Sequence, residues 1–331
     1  MNLTKEFKVG AVIIGRNEGE NLVACLNSLI GVVDSIVYVD SGSTDNSIEH
    51  AKLLAIDVVQ LDLKSPFTAA RARNEGATYL LKKMPDIKYL QFVDGDCEVQ
   101  PNWVEKSVTF LETHAQYAVV CGRRRERYPE RSIYNQLCDI EWNTPAGDTL
   151  ACGGDALFRV KAFKKVNGFN DALIAGEEPE LCFRLRESDW KIMRLDAEMT
   201  LHDANMKTIN QWWNRAKRSG YAYASSCFLH GLSKEKYKVR EVASVLLWSV
   251  LVPLLIFSFS FFHIAFIVTL LIYPIQVARL SIKYAALDKG WYIALLYALS
   301  NLLGKFPQLM GIMNFVFNAF KGTQAKIIEY K

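Results

Sequence analysis

Five short runs made almost wholly of apolar residues constrain this chain more than anything else in it: VGAVIIG (9–15), SIVYVD (35–40), VVQLDL (58–63), YLQFVD (89–94) and YAVVCG (117–122). Continuous rather than alternating apolarity, rich in Val and Ile, is what a strand buried on both faces requires. Between the runs, NLVACLNSL (21–29), NSIEHAKLLA (46–55) and TAARARNEGATYLLKKM (68–84) carry apolar residues three and four apart, the spacing of a helix with one buried face. Strands alternating with such helices predict an α/β fold on a mostly parallel, doubly wound, Rossmann-like sheet.

Ligands of such sheets bind beyond the carboxyl ends of the strands, so polar residues that directly follow an apolar run become the candidates. Three groups qualify: Arg16-Asn17-Glu18, the stretch from Asp40 and Ser41 to Asp45, and Asp94-Gly95-Asp96. Two carboxylates one residue apart after a strand can reach one cleft, and hard oxygen ligands suit Mg²⁺ or Mn²⁺ held against a diphosphate. Taken alone, the last tripeptide equally fits an ordinary Asp-Gly turn.

The character of the chain changes after Glu241. Residues 242–278 contain no Asp, Glu, Lys or Arg, and a membrane-spanning helix needs only about 20 residues. A hairpin over 242–280, turning near Ser258 to His263, fits this stretch. Lys236, Lys238, Arg240, Arg279 and Lys283 would then lie on the cytoplasmic side. A single tilted span with an interfacial helix, or a re-entrant hairpin, fits as well. Residues 291–320 are again apolar but interrupted by Gly304, Lys305, Pro307 and Gly311, as expected of helices lying on a membrane or packed on another domain. Two regions are therefore expected, 1–235 and 236–331.

The formal charge of +4 is spread over many Lys and Arg and gives no ground for a nucleic-acid partner. Seven cysteines form no CxxC pair and sit mostly among apolar neighbours, as buried reduced thiols would. The opening MNLTKEFKVG lacks the apolar run of a signal peptide, so the first region is expected in the cytoplasm, at the inner face of the cell membrane.

VIIGRNE (12–18), VYVDSGSTDNS (37–47), ARNEGA (72–77), FVDGDCEV (92–99), CGGDALFRVKAFKKVNGFND (152–171) and GEEPELCFRLR (176–186) occur in one order over roughly residues 9–205. Together they resemble the inverting family 2 glycosyltransferases of membrane-associated polysaccharide assembly, which have the GT-A fold. The resemblance implies transfer of a sugar from a nucleoside-diphosphate sugar, most commonly a UDP-sugar, to an acceptor hydroxyl, with Mg²⁺ or Mn²⁺ as cofactor. It places Asn17, Glu18, Asp40, Ser41, Arg73, Asp94 and Asp155 against the nucleotide sugar and gives Asp96 and His202 to the metal. The general base falls on Glu178, where relatives commonly carry Asp, with Glu177 beside it. Pro179 disfavours helical geometry at Glu178 and suits a first helical position, which predicts Glu178 as the cap of the following helix.

The helix-like INQWWNRAKRSGYAYA (209–224) departs from the Gln-x-x-Arg-Trp pattern of processive synthases, which argues against a polymer-extruding enzyme. Apolar topology points to a lipid-linked saccharide acceptor. A polyprenyl-phosphate glycosyltransferase and a catalytically silent nucleotide-sugar-binding module are the alternatives.

Overall fold

The structure, a computed structural model, describes residues 7–62, 64–65, 67–259, 268–285 and 290–322. By internal contacts the chain divides into two compact units, 1–131 with 138–205, and 132–137 with 206–331. This division falls well before the change in composition after residue 235, because the helix Ile209–His230 packs with the C-terminal helices.

The first unit is built on a nine-stranded sheet. Its strands are β1 (Val9–Gly15), β2 (Ser35–Asp40), β3 (Asp57–Gln60), β4 (Tyr89–Asp94), β5 (Cys97–Val99), β6 (Tyr117–Glu126), β7 (Gly147–Asp148), β8 (Ala156–Arg159) and β9 (Lys191–His202). They lie in the order β3-β2-β1-β4-β8-β6-β9-β5, with β7 on β9. The half from β3 to β4 is parallel, as expected. Beyond it, β8 runs antiparallel to both β4 and β6, while β6 and β9 pair in parallel. The sheet is therefore mixed rather than mostly parallel. The apolar run of β8 fixes burial, which does not depend on strand direction.

Helix 69–83 shows how local sequence sets the parallel half. Thr68 caps it, its Oγ1 accepting the Arg71 N–H at 3.1 Å, and Pro85 follows its last turn. The buried stripe of Ala70, Ala72, Gly76, Ala77 and Leu80 lies on the sheet. A Cβ on Gly76 would stand 2.4 Å from Val12 Cγ1 and 2.8 Å from Val39 Cγ2, so this helix seats on β1 and β2 only through a glycine. On the other half, Phe92, Phe158, Phe163 and Phe169 interlock with ring centroids 5.2–6.1 Å apart. Edge-to-face pairs of this kind add about 0.5–1.5 kcal/mol each beyond area burial, so the floor under the ends of β4 and β8 is stiff.

In the second unit, Ile209–His230 starts with a reciprocal capping box between Thr208 and Gln211. It crosses Lys305–Lys321 at backbone contact, since a Cβ on Gly220 would lie 2.0 Å from the Gln308 carbonyl oxygen and one on Gly311 equally close to that of Lys217. Val239–Phe259 is, among the described residues, the one helix long and apolar enough to cross a membrane: 21 residues, mean hydropathy 2.4, with 17% of its most apolar window buried. Its turn at Leu247–Leu251 widens to π geometry just ahead of Pro253, which has no N–H for the regular ladder. The expected hairpin turn, at 258–263, lies mostly outside the described residues. The apolar stretch 291–320 forms two helices, Trp291–Leu303 and Lys305–Lys321, meeting at Gly304.

Candidate functional site

Register brings the first acids together. Gly15 pairs with Asp40 and Ile14 with Asp94, so three neighbouring parallel strands end in one row. Gly95 continues the row by donating its N–H to the Ile14 carbonyl at 2.8 Å, which places Asp96 just past it.

At the β1 and β2 ends the loops lock each other. Asp40 is buried, and its carboxylate accepts the Tyr38 hydroxyl at 2.9 Å and the N–H groups of Gly42 and Ser43 at 2.9 and 3.0 Å. A carboxylate has about four acceptor positions, so one remains for a ligand. Asn17 sits at φ 58° and receives the Thr44 N–H at 2.7 Å on its side-chain oxygen, while its own N–H reaches Ser43 Oγ at 2.9 Å. Glu18 is tied by its N–H to Ser47 Oγ at 3.2 Å, and Ser41 donates its N–H to the Gly15 carbonyl at 3.0 Å. Asn17 and Ser41 thus shape the pocket edge through backbone geometry.

Asp94 is gripped by two guanidinium groups. Arg73 Nη2 meets its Oδ1 at 2.8 Å and Arg124 Nη2 its Oδ2 at 2.9 Å. Burial pushes this carboxyl up, but Arg73 and Arg124 outweigh it and hold Asp94 down at about 2. Arg73 also binds Glu177 Oε1 at 2.8 Å, and its charge is kept by Asp94 and Glu177 against the cost of burial. Asp155 has no accessible surface. It accepts the Asp94 N–H at 3.0 Å, Arg124 Nε at 2.9 Å and the Thr200 hydroxyl at 2.8 Å. Asp155 thus lies beneath Asp94 and Arg124 and is bonded to both. Gly154 leaves room for the network, since a Cβ there would lie 2.8 Å from Asp94 Oδ2.

Arg124, Thr200 and the stacking neighbour Trp142 were missed from sequence. The rule that found the acids would have found Arg124, which follows the apolar part of β6. Trp142 stands 5.6 Å from the Arg124 guanidinium and 4.8 Å from the His202 ring, and its helix had no strand-end signal.

Asp96 and His202 come together, as their metal assignment requires. Their Oδ2 and Nε2 atoms lie 3.1 Å apart and both side chains are buried. Antiparallel pairing of Cys97 with His202 across β5 and β9 makes this contact. Cys97 Sγ lies 3.5 Å from Asp96 Oδ1, near enough to join the pair as a third donor. Carboxylate and imidazole form a donor pair suited to Mn²⁺ or Mg²⁺. Nearby, Asp94, Asp155 and Glu177 lie against the two arginines. The residues fit a divalent metal.

Glu178 differs from its expected place. The helix begins at Glu177 after Gly176, whose φ of 77° makes the entry turn, so Glu178 lies inside the first turn rather than capping it. Pro179 is tolerated there because first-turn N–H groups have no partner within the helix. Glu178 is 7% exposed, and all its hydrogen bonds fall on Oε1: Cys152 N–H at 2.6 Å, Cys152 Sγ at 3.0 Å and Cys182 Sγ at 3.0 Å. Burial raises its pKa, against the lowering effect of these donors. The acid is thus anchored by one oxygen. All seven cysteines are free thiols, six of them buried and Cys227 half-buried.

The model of glycosyl transferase family 2 matches residues 11–166. An uncharacterized glycosyltransferase, YibD of Escherichia coli, is 35% identical over 33% of this chain and 31% of its own length. The succinoglycan biosynthesis protein ExoA of Rhizobium meliloti is 25% identical over 60% of this chain and 63% of its own. The chain thus spans less than two thirds of either relative. Among solved structures, the mannosyltransferase PcManGT of Pyrobaculum calidifontis, in complex with GDP-Man and Mn²⁺, superposes with a TM-score of 0.59 at 15% identity, covering 94% of this chain and 87% of that one. Residues 11–166 thus resemble a glycosyl transferase family 2 domain, and the sheet that holds them continues to His202.

Proposed function

We propose that the chain transfers a sugar, with inversion, from a nucleoside-diphosphate sugar to an acceptor hydroxyl, at the cytoplasmic face of a membrane. The observation that carries this is the row of Asp40, Asp94 and Asp96 at neighbouring strand ends, with Asp94 held between Arg73 and Arg124. The remaining acceptor position of Asp40 suits an N–H of the donor's base. Asp96 and His202 would hold Mg²⁺ or Mn²⁺, which supplies Lewis-acid compensation for charge on the departing diphosphate. Glu178 takes the acceptor proton on Oε2 as the oxygen attacks the anomeric carbon, and Arg73 holds the adjacent Glu177 in place. The GDP-Man and Mn²⁺ of the structural neighbour support a nucleotide-sugar donor and a divalent metal; a UDP-sugar remains the favoured donor. The relative named for succinoglycan biosynthesis and the exposed apolar helix Val239–Phe259 support a lipid-linked saccharide acceptor in polysaccharide assembly.

The test is sugar transfer by the detergent-solubilised chain from labelled UDP-sugars, with Mn²⁺, into lipid extracted from membranes. Label entering the organic phase, lost in Asp96→Ala, is the expected result. Donor that stays intact with every acceptor and metal would leave only a binding module. A lipid-phosphate acceptor needs no deprotonation, and transfer indifferent to Glu178→Gln would identify that reaction instead.

A further inference from the structure

The anchorage of Glu178 is more than hydrogen bonding requires. Cys152 and Cys182 both bring Sγ to 3.0 Å from its Oε1, and the two sulfurs stand 3.6 Å apart. All three donor atoms lie within 4.8 Å of one another, and all three residues are buried. Tetrahedral Zn²⁺, with Zn–S bonds of about 2.3 Å, holds two sulfurs about 3.8 Å apart, nearly the separation already present. A disulfide would need the same sulfurs to close to about 2.0 Å. The thiol pair is therefore set for a shared ion more closely than for a bond.

We propose that Cys152, Cys182 and Glu178 form an inhibitory site for a thiophilic divalent cation, Zn²⁺ above all, separate from the Asp96 and His202 pair. Two sulfurs and one carboxylate select soft or borderline ions over the Mg²⁺ or Mn²⁺ suited to oxygen-rich sites. Water completes four ligands. Binding converts the two thiols to thiolates and releases their protons to solvent. A cation there would also claim the carboxylate of Glu178, so occupancy stops transfer; this consequence, unlike the site itself, rests on Glu178 being the base.

The experiment loads the full-length protein with Co²⁺ and, separately, Zn²⁺ and removes loosely held ion on a weak chelating resin. Asp96→Ala/His202→Ala serves as the background that removes the other metal pair. The expected result is one retained Zn²⁺ per chain and, with Co²⁺, a near-ultraviolet thiolate-to-cobalt charge-transfer band. Both should vanish in Cys152→Ser and Cys182→Ser and persist in Cys227→Ser. Cobalt without that band in the unmodified cysteine background overturns the site whether or not the serine variants fold, and so does Zn²⁺ retained equally by folded serine variants. Transfer is then measured in the wild-type protein with Zn²⁺ added beside Mn²⁺. A fall abolished by Cys152→Ser/Cys182→Ser is expected, whereas thiolate-bound Zn²⁺ that leaves transfer intact overturns the inhibition and the base assignment of Glu178 while leaving the site.

Discussion

Two carboxylates of similar chemistry hold different states because their neighbours differ. Glu178 is raised by burial, so its proton is bound more tightly in the folded chain than in the unfolded one. Stability from this group is therefore present at low pH and lost as pH rises through the folded value, and Glu178→Gln should be more stable than wild type at pH 7 and gain nothing at acid pH. The same variant should lose about 10²–10⁴ in kcat, the usual worth of a general base. In wild type the acid limb of kcat against pH should lie above the ordinary carboxylate value of about 4.3. Asp94 has the opposite sign. Held at about 2 by Arg73 and Arg124, it contributes stability above its unfolded value of about 3.9, and that contribution is lost as pH falls toward 2. Asp94→Asn, leaving two guanidinium groups short of a partner, should cost about 2 kcal/mol in urea unfolding at pH 7. The difference from wild type should shrink between pH 4 and pH 2.

At the scale of elements, much of the parallel half was legible because each apolar run and each amphipathic segment carries its own period. Asp40, Asp94 and Asp96 were legible with it, since a strand end is a local feature. Direction and partnership beyond β4 were not, because β8 looks the same whichever way it runs. The burial of Asp155 was not legible for a related reason: it comes from Arg124 and Thr200, which reach it from other strands. The fit of helix 69–83 yields a further prediction. Gly76→Ala gains about 1 kcal/mol of helix propensity yet puts a methyl within 2.8 Å of Val12 and Val39. Overpacking of about 1–3 kcal/mol should dominate, and thermal unfolding should show a net loss.

For the whole molecule, the account joins a nucleotide-sugar site to a membrane. Val239–Phe259 has the length and polarity to span and little of its apolar window buried, so the full chain expressed in cells should sediment with membranes and resist alkaline carbonate extraction. Release by carbonate would confine the helices to the surface. The central claim, a metal-assisted nucleotide site at the strand ends, is most directly tested by thermal unfolding of the solubilised chain with UDP, GDP, CMP or TDP, each with and without Mn²⁺. A ligand at one hundred times its Kd stabilises by about 2.7 kcal/mol. The account predicts such a shift with one nucleoside diphosphate, with UDP favoured, dependent on Mn²⁺ and lost in Asp96→Ala; folded protein indifferent to every nucleotide, or equally stabilised in Asp96→Ala, would contradict it.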